Sequence, residues 1–86
     1  MKLWMLTQDR NTGYDTYDSC IVAAPTAAAA KDFHPRSDTP QFWWLEKDQF
    51  GPLDTWAHPN DVTVRLLGEA VPNTKAGVVL ASFNAG

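Results

Sequence analysis

Between Leu3 and Ala30 the chain passes from an apolar run, through a polar stretch, into a second apolar run and then into alanines. Leu3-Trp-Met-Leu6 and Cys20-Ile-Val-Ala-Ala24 are each long enough for a strand and too short for a free-standing helix. Pro25-Thr26 then opens Ala27–Ala30, where Thr26 can cap a helix through its hydroxyl and the alanines favour one. A strand pair feeding a helix is the simplest arrangement of these pieces. It leaves the connection Asp9–Asp18, with two tyrosines and three aspartates, as a polar loop that packing alone does not demand.

The remaining elements follow from the same signals. Residues 2–8 form the first strand, and both of its faces are apolar, which predicts a central position. Residues 19–24 form the second. The helix is short because His34-Pro35 stops it, and Ala29, Ala30 and Phe33 can face the sheet together. Residues 34–41 are a loop. Phe42-Trp-Trp-Leu45 is a third strand candidate, with Trp43 and Trp44 on opposite faces. Gln49-Phe-Gly-Pro52 is a turn, and Trp56 starts another short extended piece. Val62–Leu67 is a strand that Gly68–Pro72 can extend past a bulge. Asn73–Gly77 turns the chain, and Val78–Phe83 pairs back on Val62–Leu67 as a hairpin. The expectation is one α+β domain over residues 1–86, an antiparallel sheet of four to five strands with one short helix packed on it, in the order strand, strand, helix, strand, strand, strand.

Eighty-six residues with four tryptophans can fill one core, with a thin stability margin. No apolar run is long enough for a membrane span, and Met1–Leu6 lacks the length and cleavage site of a secretory signal. Cys20 is the single cysteine, so no intrachain disulfide can form, which fits a reducing compartment. Cytoplasmic residence is the resulting expectation.

The net charge of −3 is concentrated. Residues 36–61 hold two basic groups, Arg36 and Lys47, against five acidic ones, Asp38, Glu46, Asp48, Asp54 and Asp61, together with three of the four tryptophans. Clustered lysine and arginine, which a phosphate backbone requires, are missing. Direct nucleic-acid binding is therefore disfavoured, and a basic protein surface is the better match.

Chemical signatures are sparse. His34, His58 and Cys20 lie in three separate segments without zinc-ligand spacing. Asp9, Asn11, Gly13 and Asp15 echo a calcium loop, but Tyr14 replaces its glycine and Cys20 its closing glutamate. Ser19, Ser37 and Ser82 sit in no nucleophile motif. Asp15 and Asp18 form a carboxylate pair that any hairpin loop could supply. No cofactor and no catalytic residue is expected.

Recognition is the better-supported class. Tyr14, Asp15, Tyr17 and Asp18 combine contact area with charge selectivity. An exposed tryptophan within the acidic segment, Trp44 or Trp56, would be an apolar anchor, and Glu46, Asp48 and Asp54 would meet basic side chains. These nine residues are the expected partner-binding set.

Asn11-Thr-Gly-Tyr-Asp-Thr-Tyr-Asp18, Val22-Ala-Ala24, Val64-Arg-Leu-Leu-Gly-Glu-Ala70 and the terminal Val79–Gly86 resemble small, mostly uncharacterised proteins of tailed bacteriophages and prophages. The similarity spans most of the chain apart from residues 36–60. It implies a phage origin and action in a bacterial cytoplasm, in the manner of anti-CRISPR and other anti-defence inhibitors. The expected function is then a non-enzymatic inhibitor that binds a basic, nucleic-acid-handling host defence complex. Two alternatives stand beside it: a small-ligand or nucleotide-signal binder using Tyr14, Tyr17 and a tryptophan, and a virion or assembly component pairing through a strand edge.

Overall fold

The computed structural model describes residues 1–36, 39, 41–45 and 52–84. Strands β1 (Lys2–Thr7) and β2 (Thr16–Ala24) form the expected antiparallel pair, and helix α1 (Ala27–Lys31) follows them. Three short 3-10 turns, Trp43–Leu45, Pro52–Asp54 and Pro59–Asp61, lead to β3 (Thr63–Glu69) and β4 (Gly77–Asn84). The result is an α+β fold built on an open, four-stranded antiparallel sheet in the order β3-β1-β2-β4.

The two last strands do not form the expected hairpin; they pair on opposite sides of the β1–β2 hairpin. The reason lies in β1 and β2. Each is apolar on both faces and each has an outer edge of unpaired backbone groups, which a strand on either side satisfies. Crossing three strand gaps spans roughly 14 Å, well within reach of the 70–76 connection. Ala70 N–H donates to Met1 O at 3.1 Å and ties the start of that connection to the sheet.

The expected third strand at 42–45 is a 3-10 turn instead. Tryptophans one residue apart there point about 120° apart, so Trp43 turns inward while Trp44 stays half-buried. The Trp43 indole N–H donates to Asp32 O at 2.8 Å, which fixes the segment against the end of the helix. Trp56 also begins no strand; it is wholly buried after the second 3-10 turn.

Helix α1 is capped as its sequence predicts: the Thr26 hydroxyl accepts from Ala29 N–H at 3.1 Å. Ala30 is buried, with Ala29 and Phe33 packed beside it. The core lies between this layer and one face of the sheet. Trp4 and Leu6 of β1, Cys20, Val22 and Ala24 of β2, and Val62 meet Ala30, Trp43, Trp56 and Ala57 there. The register places Leu3, Met5, Ile21, Ala23 and Leu80 together on the other face. Of these, Leu80 is exposed and Leu3, Met5 and Ile21 are half-buried. No helix among the described residues is long and apolar enough to cross a membrane.

Candidate interaction surface

Two side chains assemble one end of the sheet. Gln8 follows β1 and is buried. Its carboxamide oxygen accepts from Arg10 N–H at 2.9 Å and Asn11 N–H at 2.8 Å. Its nitrogen donates to Asn11 O at 2.7 Å and Tyr17 O at 2.9 Å. All the bonding capacity of a buried amide is thereby used, as burial requires. Asn11 reaches further along the chain. Its side-chain nitrogen lies 3.1 Å from Leu53 O, 2.7 Å from Asp54 O and 3.2 Å from Trp56 O. Tyr17 N–H donates to Thr55 O at 2.7 Å.

These bonds join two acidic segments that are more than forty residues apart in sequence. Asp9, Asp15 and Asp18 come from the first, and Asp54 and Asp61 from the second; all five are exposed. Arg10 stands beside one of them, its Nε 3.8 Å from Asp61 Oδ1. Both side chains are solvated, so this pair adds little stability. Tyr14 projects beside the aspartates at 78% exposure. Asp15 adopts φ +59°, a left-handed conformation that aspartate tolerates. The turn is held by the Thr16 hydroxyl and the Asn84 amide, both donating to Gly13 O.

The expected binding set separates into four groups. Tyr14, Asp15, Asp18 and Asp54 are exposed near this end. Tyr17 and Asp18 belong to β2, not to a loop, because Asp18 is the extra residue of a bulge that lets β2 continue its pairing with β4 to Thr16. Tyr17 is half-buried between Phe83, with centroids 4.8 Å apart, and His34, at 6.0 Å, so it is chiefly a packing residue. Trp56 cannot serve as a surface anchor, since no part of it is exposed. Glu46 and Asp48 lie outside the described residues.

Trp44 keeps its candidacy, with neighbours the sequence did not indicate. Its ring stands edge-on to Phe42 at 5.5 Å, Trp43 at 5.6 Å and His58 at 6.2 Å. Phe42 is 54% exposed and Leu45 67%, so an apolar patch surrounds the half-buried indole. Phe42 also has φ +58°, a conformation that costs a bulky residue roughly 1–3 kcal/mol. Neither feature has a local sequence signal. The role of Gln8 is equally silent, whereas Asn11-Thr-Gly13 announces a turn but not the long-range bonds of its asparagine.

Among the described residues no group of three or more His, Cys, Asp or Glu side chains could hold a metal ion. His34 is buried and structural in its contacts: Nδ1 accepts from Arg36 N–H at 3.0 Å, and Nε2 lies 2.9 Å from Pro52 O. A concavity of about 400 Å³ is lined by Ala29, Phe33, His34, Arg36, Thr39 and Trp43, among others, and neither Tyr14 nor Tyr17 borders it.

Cys20 is a core residue, and burial pushes its thiol from 9.0 up to about 12. The native thiol should resist iodoacetamide near neutral pH and react once the chain is unfolded in denaturant. The raised value also carries a sign. The unfolded thiol ionises above 9.0 while the native one stays protonated to about 12, so this stabilisation is complete below 9.0 and falls away between 9.0 and about 12. Over that window Cys20→Ala should lose stability less steeply than the parent, by about 1.4 kcal/mol per pH unit. Denaturant midpoints measured across the alkaline range would show it, and parallel slopes would refute it.

No family model, no curated protein and no solved structure matches this chain significantly.

Proposed function

We propose that this chain is a non-enzymatic binding domain that presents an acidic, ring-bearing end to a basic protein partner. The observation that carries the proposal is the bonding of the Asn11 amide to three carbonyls of residues 53–56, which gathers the carboxylates of two distant segments beside the exposed ring of Tyr14. Five exposed aspartates on two segments joined by these bonds, with Arg10 near one of them, attract a cationic surface and repel phosphate. The Phe42–Trp44–Leu45 patch adjoins this end through His58, which precedes the Pro59–Asp61 turn, and supplies apolar area of the kind that anchors interfaces.

The partner class is taken, by analogy with anti-defence proteins, from the expected resemblance of residues 11–18, 22–24, 64–70 and 79–86 to tailed-phage proteins. It is a bacterial defence complex of the CRISPR type, whose basic groove otherwise holds nucleic acid. Occupation of that groove by carboxylates inhibits the complex by competition, without any covalent chemistry.

The test is affinity capture from a bacterial lysate carrying such a complex, followed by direct binding to the purified partner. Asp15→Lys, Asp18→Lys and Asp54→Lys combined should weaken binding at least about tenfold, and free nucleic acid should compete with the parent chain. Unchanged affinity of the triple variant, with the fold intact by circular dichroism, would reject the surface. Capture of a partner with no nucleic-acid-binding role would reject the partner class.

A further inference from the structure

The two edges of the sheet are treated differently. Natural edges are guarded by charge, proline or bulges, because their free backbone groups are a template for another strand. The β3 edge carries Arg65, Glu69 and a bulge at Leu66–Gly68. The β4 edge, Gly77–Asn84, contains neither a charged residue nor a proline, and a bulge at Val79 is its one irregularity. Val79, Leu80 and Phe83 are 57%, 64% and 47% exposed along it. Val78 and Ala81 turn from β4 toward the core, but among the described residues β2 is the only strand paired with β4, so its outer edge has no partner strand.

Charge is also divided along the direction of β4. Its Asn84 end meets the acidic end of the domain, since Asp15 N–H donates to Asn84 O at 2.6 Å. Its Gly77 end follows Lys75 in sequence. Because Gly77 pairs with Ala23 and Lys2 pairs with Ala24, this end lies beside the start of β1, where Lys2 stands opposite Glu69. An antiparallel neighbour of the same sequence would set the Lys75 end of each copy against the Asp15 end of the other. A parallel neighbour would set like ends together.

We infer that β4 pairs with β4 of a second copy, antiparallel about a two-fold axis, to make one continuous sheet of twice the four strands seen in the single chain. The backbone groups of both edges are satisfied by the pairing. Leu80 on the open face and Phe83 on the helix face extend the contact above and below the sheet. Lys75 and Asp15 close it at both ends. Such an isologous contact is self-limiting, because the pairing consumes the edge that makes it. It leaves β3, the guarded edge, at each outer margin.

The purified chain, studied across micromolar to submillimolar concentrations by sedimentation velocity, should approach twice its 9.5 kDa mass. Amides of β4 should gain protection from hydrogen exchange as concentration rises, while those of β3 do not. Val79→Lys places like charges across the two-fold axis and should abolish the dimer. Lys75 is exposed, and Lys75→Glu should weaken the dimer roughly tenfold, since two end contacts turn from attractive to repulsive. Lys75→Glu combined with Asp15→Lys should restore it. A chain that stays monomeric throughout overturns the inference, as does a dimer that survives Val79→Lys or protects β3 instead of β4. These readouts involve no basic partner, so they stand or fall separately from the partner-binding proposal.

Discussion

Trp56→Ala should lower the unfolding free energy by about 3–5 kcal/mol, seen as a lower denaturant midpoint with an unchanged slope. For a chain of 86 residues the whole stability is on the order of 4–13 kcal/mol, so a loss of this size removes a large share of it. Trp56 has no exposed surface and packs in the cluster with Trp43, Leu6 and Val62. Its indole N–H is buried without a hydrogen-bond partner among the described residues. Trp43 is as deeply placed, but its N–H is bonded to Asp32 O. Trp56→Phe should therefore cost less than Trp43→Phe, because only the second strands a carbonyl. Were Trp56 a partner anchor, Trp56→Ala would reduce affinity while leaving stability unchanged, and that outcome would overturn the core assignment.

Gln8→Ala should cost about 2–4 kcal/mol, because four part-buried backbone groups lose their partner at once and the Gln8 side chain is itself buried. Gln8→Glu separates polarity from volume. A carboxylate still accepts from Arg10 and Asn11 N–H, but it faces the carbonyls of Asn11 and Tyr17 with oxygen instead of a donor. Gln8→Glu should thus be destabilised near neutral pH and partly recover in acid as the carboxyl regains a proton to donate. Asn11→Ala should have a smaller global effect and a sharper local one. The amide of Tyr17 should exchange faster, as the 53–56 segment is released from the loop. Equal stability of Gln8→Ala and the parent would refute the account of how the acidic end is built.

The α+β class, the central position of β1, the Thr26 cap and the alanine contact with the sheet were legible because each depends on neighbouring residues. Apolar runs, a hydroxyl before alanines and a proline after them act locally. The partners of β3 and β4 were not legible. Their β-branched residues announce strands, but the choice between pairing together and pairing on β1 and β2 depends on edges that are open only in three dimensions. The Trp43-Trp44 pair misled for a related reason. Aromatic residues suit a strand, yet the Asp32 carbonyl beyond the helix supplied a bond that favours a tight turn. At the candidate surface, Tyr14, Asp15, Asp18 and Asp54 could be singled out from composition. Tyr17 and Trp56 could not be assigned to the interior without knowing that His34, Phe83 and the core cluster surround them.

The strand order has a kinetic consequence. Thr7 and Thr16 bracket a short local hairpin, but Thr7 pairs with Thr63 and Thr16 with Asn84, so both flanking strands come from the last third of the chain. An isolated two-stranded hairpin is marginal in water, and contacts between residues so distant in sequence slow a folding reaction. During synthesis the β1–β2 hairpin precedes both of its flanking strands, and its β2 flank stays uncovered until β4 follows β3. Completion of the sheet therefore waits on β4, not on the hairpin that organises it.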